Sequence, residues 1–217
     1  MFPDILPDRP TGPIYGSVQT GTNADLIATV APTYLTGSVI DVTYGQGKWW
    51  DRFTPDPLTF HDLKIDGVDF RALPHPDGAF DAVCFDPPYI PAGGARTAGR
   101  TTDEADFAQR FGIGLDTEHA PRNRAELRQL VHDGMTECAR VLDPDGYLLA
   151  KGCDYVTGSK FTLGHVDFLD AADELGLHVH DLIVHHTGSG PGGHNIFTQL
   201  RARRAHSYLL VFTKRPR

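Results

Sequence analysis

At 217 residues, 40% hydrophobic and 22% charged, the chain has the size and composition of one globular domain that buries most of the surface its unfolded form exposes. A formal net charge of −8 excludes indiscriminate phosphate binding through a uniformly basic surface. No apolar run reaches the length of a membrane span, and Met1-Phe2-Pro3-Asp4 lacks the basic start and apolar core of a signal peptide. A soluble cytoplasmic protein with no membrane partner is therefore expected.

Residues 1–20 are rich in Pro and Gly without periodicity and read as an irregular N-terminal arm, ahead of a single domain over 21–217. Thr22 or Asn23 then caps a helix that carries Leu26, Ile27, Val30 and Tyr34 on one face, and Pro32 is expected to break or kink it before its end. Ser38-Val39-Ile40 is a short buried strand running into Asp41 and the turn Gly45-Gln46-Gly47. Glycine suits such a turn because it accepts positive φ and leaves room for a ligand against the backbone. A Walker phosphate loop is excluded, since Trp49 follows Lys48 where Ser or Thr is required.

About ten residues separate Gly47 from the next apolar run, Leu58-Thr59-Phe60, the lower limit for a crossover between parallel strands. Pro55 and Pro57 shorten any helix further, leaving little more than one turn around Trp49-Trp50-Asp51-Arg52, with the tryptophans read as core packing. From Asp62 to Asp69 there is no room for a second crossover helix, and Asp66-Gly67 between alternating runs is a hairpin signal. Either a helix is cut to a turn here, or the strands on its two sides pair as an antiparallel hairpin.

A turn-rich link over residues 73–81 delivers the chain into Ala82-Val83-Cys84-Phe85, a buried strand ended by Pro87 and Pro88, which fix φ and donate no ladder hydrogen bond. Asp86 thus sits at a strand's C-terminal edge, where open α/β sheets bind ligands. Its carboxylate and the Pro87 carbonyl are both acceptors, able to take one hydrogen each from an –NH2 group. The Tyr89 ring can stack on the flat heterocycle that carries the amine. Residues 91–121 follow without period and read as a mobile loop, either a lid that orders over a bound base or a disordered segment.

Residues 122–141 read as a helix, with Leu127, Leu130, Val131, Gly134, Cys138 and Val141 inward. Asp143-Pro144-Asp145-Gly146 ends it, and Tyr147-Leu148-Leu149-Ala150 is a parallel strand with Lys151 at its edge, expected to be exposed. A helix at about 164–175, a strand over 179–184 and a last strand over 207–213 complete the chain. Cys84, Cys138 and Cys153 have no CxxC spacing and read as free thiols, and the eleven histidines lack metal-ligand spacing, so no metal is expected. Residues 201–217 carry Arg201, Arg203, Arg204, Lys214, Arg215 and Arg217 without an acid, which reads either as an edge that a nucleic acid can touch or as a solvated tail.

Three stretches together resemble the S-adenosylmethionine-dependent amino-methyltransferases acting on nucleic-acid bases, in particular DNA adenine-N6 methyltransferases. They are Asp86-Pro87-Pro88-Tyr89, the DPPY motif, then Asp41-Val42-Thr43-Tyr44-Gly45-Gln46-Gly47, and the strand-final Arg204 to Phe212. The resemblance covers roughly residues 20–213. It implies a Rossmann-like methyltransferase fold, a mostly parallel seven-stranded sheet with an antiparallel last strand and helices on both faces, some shortened. It implies S-adenosyl-L-methionine held by Asp41, Thr43, Tyr44, Gly45 and Gly47, with Asp62 on the ribose hydroxyls and Asp69 and Phe70 beside the adenine. Catalysis falls to Asp86, Pro87, Pro88 and Tyr89. DNA is the expected nucleic-acid partner ahead of RNA; an RNA guanine-N2 methyltransferase and a non-catalytic cofactor- or nucleic-acid-binding protein of the same fold are the alternatives.

Overall fold

A computed structural model describes residues 14–88, 121–157, 160–188, 202 and 204–216. The described elements are β1 (Val18–Thr20), α1 (Asn23–Tyr34), β2 (Val39–Asp41), a 3-10 turn (Lys48–Trp50), β3 (Leu58–Phe60), β4 (Phe80–Phe85), α2 (Arg124–Val141) and β5 (Leu142–Gly152). They continue with β6 (Tyr155–Thr157), β7 (Lys160–Thr162), α3 (Gly164–Glu174), β8 (His178–His186) and β9 (His206–Thr213). Strands β6 and β7 pair as a separate hairpin, and the other seven form one sheet in the order β1-β8-β9-β5-β4-β2-β3. Only β9 is reversed, antiparallel to both β5 and β8. The chain is thus an α/β domain on a mostly parallel, Rossmann-like sheet.

Both faces of the central strands are covered, so β4 and the second half of β5 are apolar almost without alternation, as strands buried on two sides must be. One face packs Phe85, Ala150 and Leu210 against Val131, Met135 and Cys138 of α2 and Phe168 and Ala171 of α3. The other packs Cys84, Leu149 and Ile183 against Leu26, Ile27 and Val30 of α1 and against both tryptophans. Thr22 caps α1 in a reciprocal box, its hydroxyl accepting from Asp25 N (3.1 Å) while Asp25 Oδ2 accepts from Thr22 N (2.8 Å).

Several sequence expectations are corrected. Residues 18–20 are not irregular but form β1, held by parallel pairing of Val18–Thr20 with Val184, His185 and His186. Pro32 does not end α1 early, because it lies in the last turn and the helix runs on to Tyr34. The antiparallel hairpin does not form: β3 pairs parallel with β2, and residues 68–70 are not a strand. Carboxylates satisfy the short link instead, Asp62 Oδ1 accepting from Lys64 N (2.9 Å) and Asp66 Oδ1 from Asp62 N (3.1 Å) and Val68 N (3.2 Å). The sheet keeps seven strands because β1 is added at the opposite edge.

Strand β5 begins directly after α2, and the Asp143 to Gly146 stretch is absorbed into it through a register shift between Phe80 and Ala82 of β4. Two cations of the basic tail lie away from the Asp86 edge. Lys214 Nζ donates to Leu142 O (2.5 Å) and Arg215 to Asp145 Oδ1 (3.0 Å), at the start of β5 and so at the far end of the sheet from Asp86.

Candidate active site at the switch point

Strand β2 has β3 on one side and β4 on the other, both parallel to it, so the strand order reverses between β2 and β4 and opens a crevice at their C-terminal ends. One hydrogen bond spans that crevice. Asp86 N donates to Thr43 Oγ1 (2.7 Å), and Thr43 N donates back to Asp41 Oδ1 (2.9 Å). The two sequence motifs are thereby one structural unit.

Asp41 is buried, and its second oxygen accepts from the Trp50 indole (2.8 Å). Burial, reinforced by the Asp86 charge, pushes its carboxyl up to about 7, against the opposing bonds from Thr43 and Trp50. Its bonds make it the residue that shapes the loop. An unfolded aspartate titrates near 4, so between about 4 and about 7 the unfolded chain holds fewer protons at this position than the folded one. Asp41 therefore favours the fold fully below that window, and its contribution is lost as pH rises through it. Urea midpoints measured across this range should fall more steeply for the wild type than for Asp41→Asn; superimposable curves would contradict the assignment.

The glycine turn has two different reasons for its glycines. Both have positive φ, +57° at Gly45 and +67° at Gly47. At Gly47 a Cβ would lie 2.6 Å from the Tyr44 hydroxyl, so the space is taken by the protein's own ring. At Gly45 the nearest atom is Thr43 O at 3.8 Å, which leaves that side open to a ligand. Asp62 Oδ2 accepts from Gly45 N (2.9 Å), tying the end of β3 to the turn, and Tyr44 stacks on Phe60 with centroids 4.1 Å apart.

Asp86 itself is held on one side and open on the other. Its Oδ2 accepts from the Trp49 indole (3.0 Å), while Oδ1 is buried with no hydrogen-bond partner among the described residues. An unpartnered buried carboxylate oxygen is costly, and at a ligand edge it marks where a donor belongs. Burial raises the Asp86 carboxyl, and the Lys151 charge and the Trp49 bond oppose that rise. Trp49→Phe removes one bond to a charged acceptor, worth about 1.5–3 kcal/mol. Turnover should drop about 10- to 100-fold and the thermal midpoint should fall by several degrees; unchanged kcat in a folded variant would contradict this role.

Lys151 is a correction: it is 3% exposed rather than solvated, and its ammonium donates to Asn23 Oδ1. His185 is likewise fully buried, bonded through Nε2 to Gly21 O (3.0 Å), with Nδ1 unpartnered. Of the other expected site residues, Asp69 accepts from the Arg71 guanidinium (2.5 Å), and Phe70 is half-buried with its ring edge-on to Phe85 at 5.2 Å. Phe70 therefore supports the β4 strand from the α2 face. Pro87 is buried and Pro88 half-buried; Tyr89 and residues 91–120 of the expected loop lie outside the described residues. Sequence reasoning missed Trp49 and Trp50 as partners of the site, and it placed Lys151 at the edge beside Asp86 without its burial. Two indoles following a glycine turn were the available signal, since a buried indole N–H needs an acceptor.

Among the described residues no helix is long and apolar enough to cross a membrane. No protein-family model and no curated protein matches the sequence. Solved structures resemble it in fold at low identity. A SAM-dependent methyltransferase from Thermotoga maritima is 14% identical over 89% of this chain and 88% of that one, with a TM-score of 0.48. A candidate DNA modification methylase from Thermus thermophilus, complexed with S-adenosyl-L-methionine, is 15% identical over 82% of this chain and 56% of that one, with a TM-score of 0.40. The cytosine-N4-specific PvuII DNA methyltransferase is 13% identical over 65% of this chain and 45% of that one, with a TM-score of 0.43. The chain spans 53–56% of the length of the Thermus thermophilus structures it resembles.

Proposed function

We propose that this chain is an S-adenosyl-L-methionine-dependent methyltransferase that methylates the exocyclic amino group of a nucleobase, adenine N6 in DNA. The observation that carries the proposal is the buried, unpartnered Oδ1 of Asp86 beside the β2–β4 crevice. The residues present fit the cofactor. Gly45 is open on one side, and Tyr44, Thr43 and Asp62 surround the same turn and would hold it there, while Gly47 makes room for the Tyr44 ring. When bound, the cofactor supplies a methyl group whose bonding electrons stay with the sulfonium sulfur as the amine nitrogen forms its new bond.

The amine lone pair of adenine is delocalised into the ring, so the site must favour a tetrahedral nitrogen. Asp86 Oδ1 and the Pro87 carbonyl accept the two amine hydrogens, and these bonds strengthen as positive charge builds on nitrogen. Asp86 orients the amine and stabilises that charge, and the surplus proton leaves to solvent after transfer. Alignment of the two reactants supplies much of the remaining rate. A base in duplex DNA has to be flipped out, at a cost of a few kcal/mol, and stacking on Tyr89 would offset about 1–3 kcal/mol of it. At the same edge the half-buried Arg204 lies 4.3 Å over the exposed ring of Phe161, an aromatic and cation pair suited to a polynucleotide.

Labelled cofactor incubated with unmethylated DNA and RNA oligonucleotides, followed by nucleoside analysis, tests the proposal. Labelled N6-methyladenine in DNA is the expected product. Methylguanine in RNA, or bound cofactor without product, would overturn it.

A further inference from the structure

Lys151 is a buried ammonium whose one hydrogen bond among the described residues goes to Asn23 Oδ1. An ammonium has three donors, and burying it with donors unused is costly unless a ligand completes the set. Its position says which ligand. Phe85 of β4 pairs with Ala150 of β5, so Asp86 and Lys151 occupy the next step along adjacent strands, about 4.8 Å apart across the ladder. Strand alternation puts both on the face that carries Cys84 and Leu149, two residues earlier and in the same core cluster. Yet Lys151 does not satisfy Asp86: Oδ2 is taken by Trp49 and Oδ1 has no partner. An unfilled acceptor and an underused donor therefore stand side by side at one strand edge.

We infer that Asp86 and Lys151 together read the amidine edge of adenine, Asp86 Oδ1 accepting from the N6 amine and the Lys151 ammonium donating to ring nitrogen N1. This rests on the methyl-transfer proposal and deepens it by assigning the rejection of guanine to Lys151. A hydrogen-bonding site rejects an analogue that leaves a buried polar group unpaired, far more strongly than an apolar pocket rejects an isostere. The Watson–Crick edge of guanine puts a donor, N1–H, beside its amine, which would confront the ammonium with another donor. The Lys151 charge also opposes the rise that burial imposes on the Asp86 carboxyl.

The test compares matched DNA oligonucleotides carrying adenine or 1-deazaadenine, in which N1 is replaced by C–H and the amine is kept. The wild type should methylate 1-deazaadenine with kcat/KM about 10- to 100-fold lower. Lys151→Met, close in shape and without charge, should lose a similar factor on adenine and no longer discriminate between the two oligonucleotides, because the interaction is absent from both. Asn23→Ala, which removes the other partner of Lys151, should retain the discrimination. Equal rates on both oligonucleotides with the wild type, or undiminished discrimination in Lys151→Met, would overturn the inference while leaving the methyl-transfer proposal standing. A wild type that methylates neither overturns both. The wild-type comparison needs no variant to fold.

Discussion

Asp86→Ala should bind S-adenosylhomocysteine as the wild type does and lose methyl transfer by about 10²- to 10³-fold, the scale of removing one preorganised group from a developing charge. The separation follows from where the bonds run. The turn that would hold the cofactor is built by Asp41, Asp62 and Tyr44 with Thr43, and Asp86 contributes to it only through its backbone N–H, which alanine keeps. Its side chain accepts from Trp49 on one oxygen and has no hydrogen-bond partner among the described residues on the other. Truncation removes an orphaned acceptor and leaves a free indole N–H, so the fold should survive. Calorimetric titration of the product cofactor alongside single-turnover methylation gives both quantities. Full activity would contradict the assigned role, and loss of cofactor binding would move Asp86 into the cofactor pocket.

The largest effect on stability is expected at Phe85. It is fully buried, edge-on to Phe70 at 5.2 Å and to Phe168 at 6.3 Å, and it lies against Gly134 of α2, where an added Cβ would come within 2.3 Å of its ring. Phe85→Ala opens a cavity between β4 and both helices of that face. The cost should be about 3–5 kcal/mol, a large share of the roughly 5–15 kcal/mol that holds a typical domain. Urea denaturation reads this directly. Phe70→Ala, at a half-buried ring on the rim of the same cluster, should cost less. A Phe85→Ala midpoint close to wild type would mean that the β4–α2 contact is not a principal support of the site.

Much of the architecture was legible because local chemistry and global fold agree in this chain. The two prolines after Phe85 do end a buried strand, Thr22 does cap α1, and the two halves of the apolar pattern do face opposite layers. Expectations failed where satisfaction came from side chains instead of backbone ladders. The link after β3 looked like a hairpin by its Asp66-Gly67 turn, but Asp62 and Asp66 absorb its N–H groups and leave nothing for a second strand to pair with. Strand β1 carries no alternation to betray it, since an edge strand of three residues is held by its partner β8 rather than by its own burial pattern.

The site was legible in its motifs and not in its partners. Asp41, Thr43, Gly45 and Asp86 were named from the motifs and the resemblance they carry; Asp41, Thr43 and Asp86 meet in one hydrogen-bonded unit, and Gly45 is tied to Asp62 beside it. The indoles of Trp49 and Trp50 looked like core, which they are by burial, but their N–H groups reach the two carboxylates that define the crevice. Lys151 looked like an exposed strand-end lysine because sequence gives no sign that the α1 N-terminus covers it. Each of these depends on segments brought together by the sheet order, information that no local pattern contains.

The central claim is that the unpartnered oxygen of Asp86 waits for an amine. A crystal structure of the protein with S-adenosylhomocysteine and an adenine-containing single strand tests it most directly. The account predicts the N6 nitrogen within about 2.6–3.2 Å of Asp86 Oδ1, on the side facing the Gly45 turn. A base bound elsewhere, or Asp86 Oδ1 bonded to the cofactor or to protein in that complex, would contradict it.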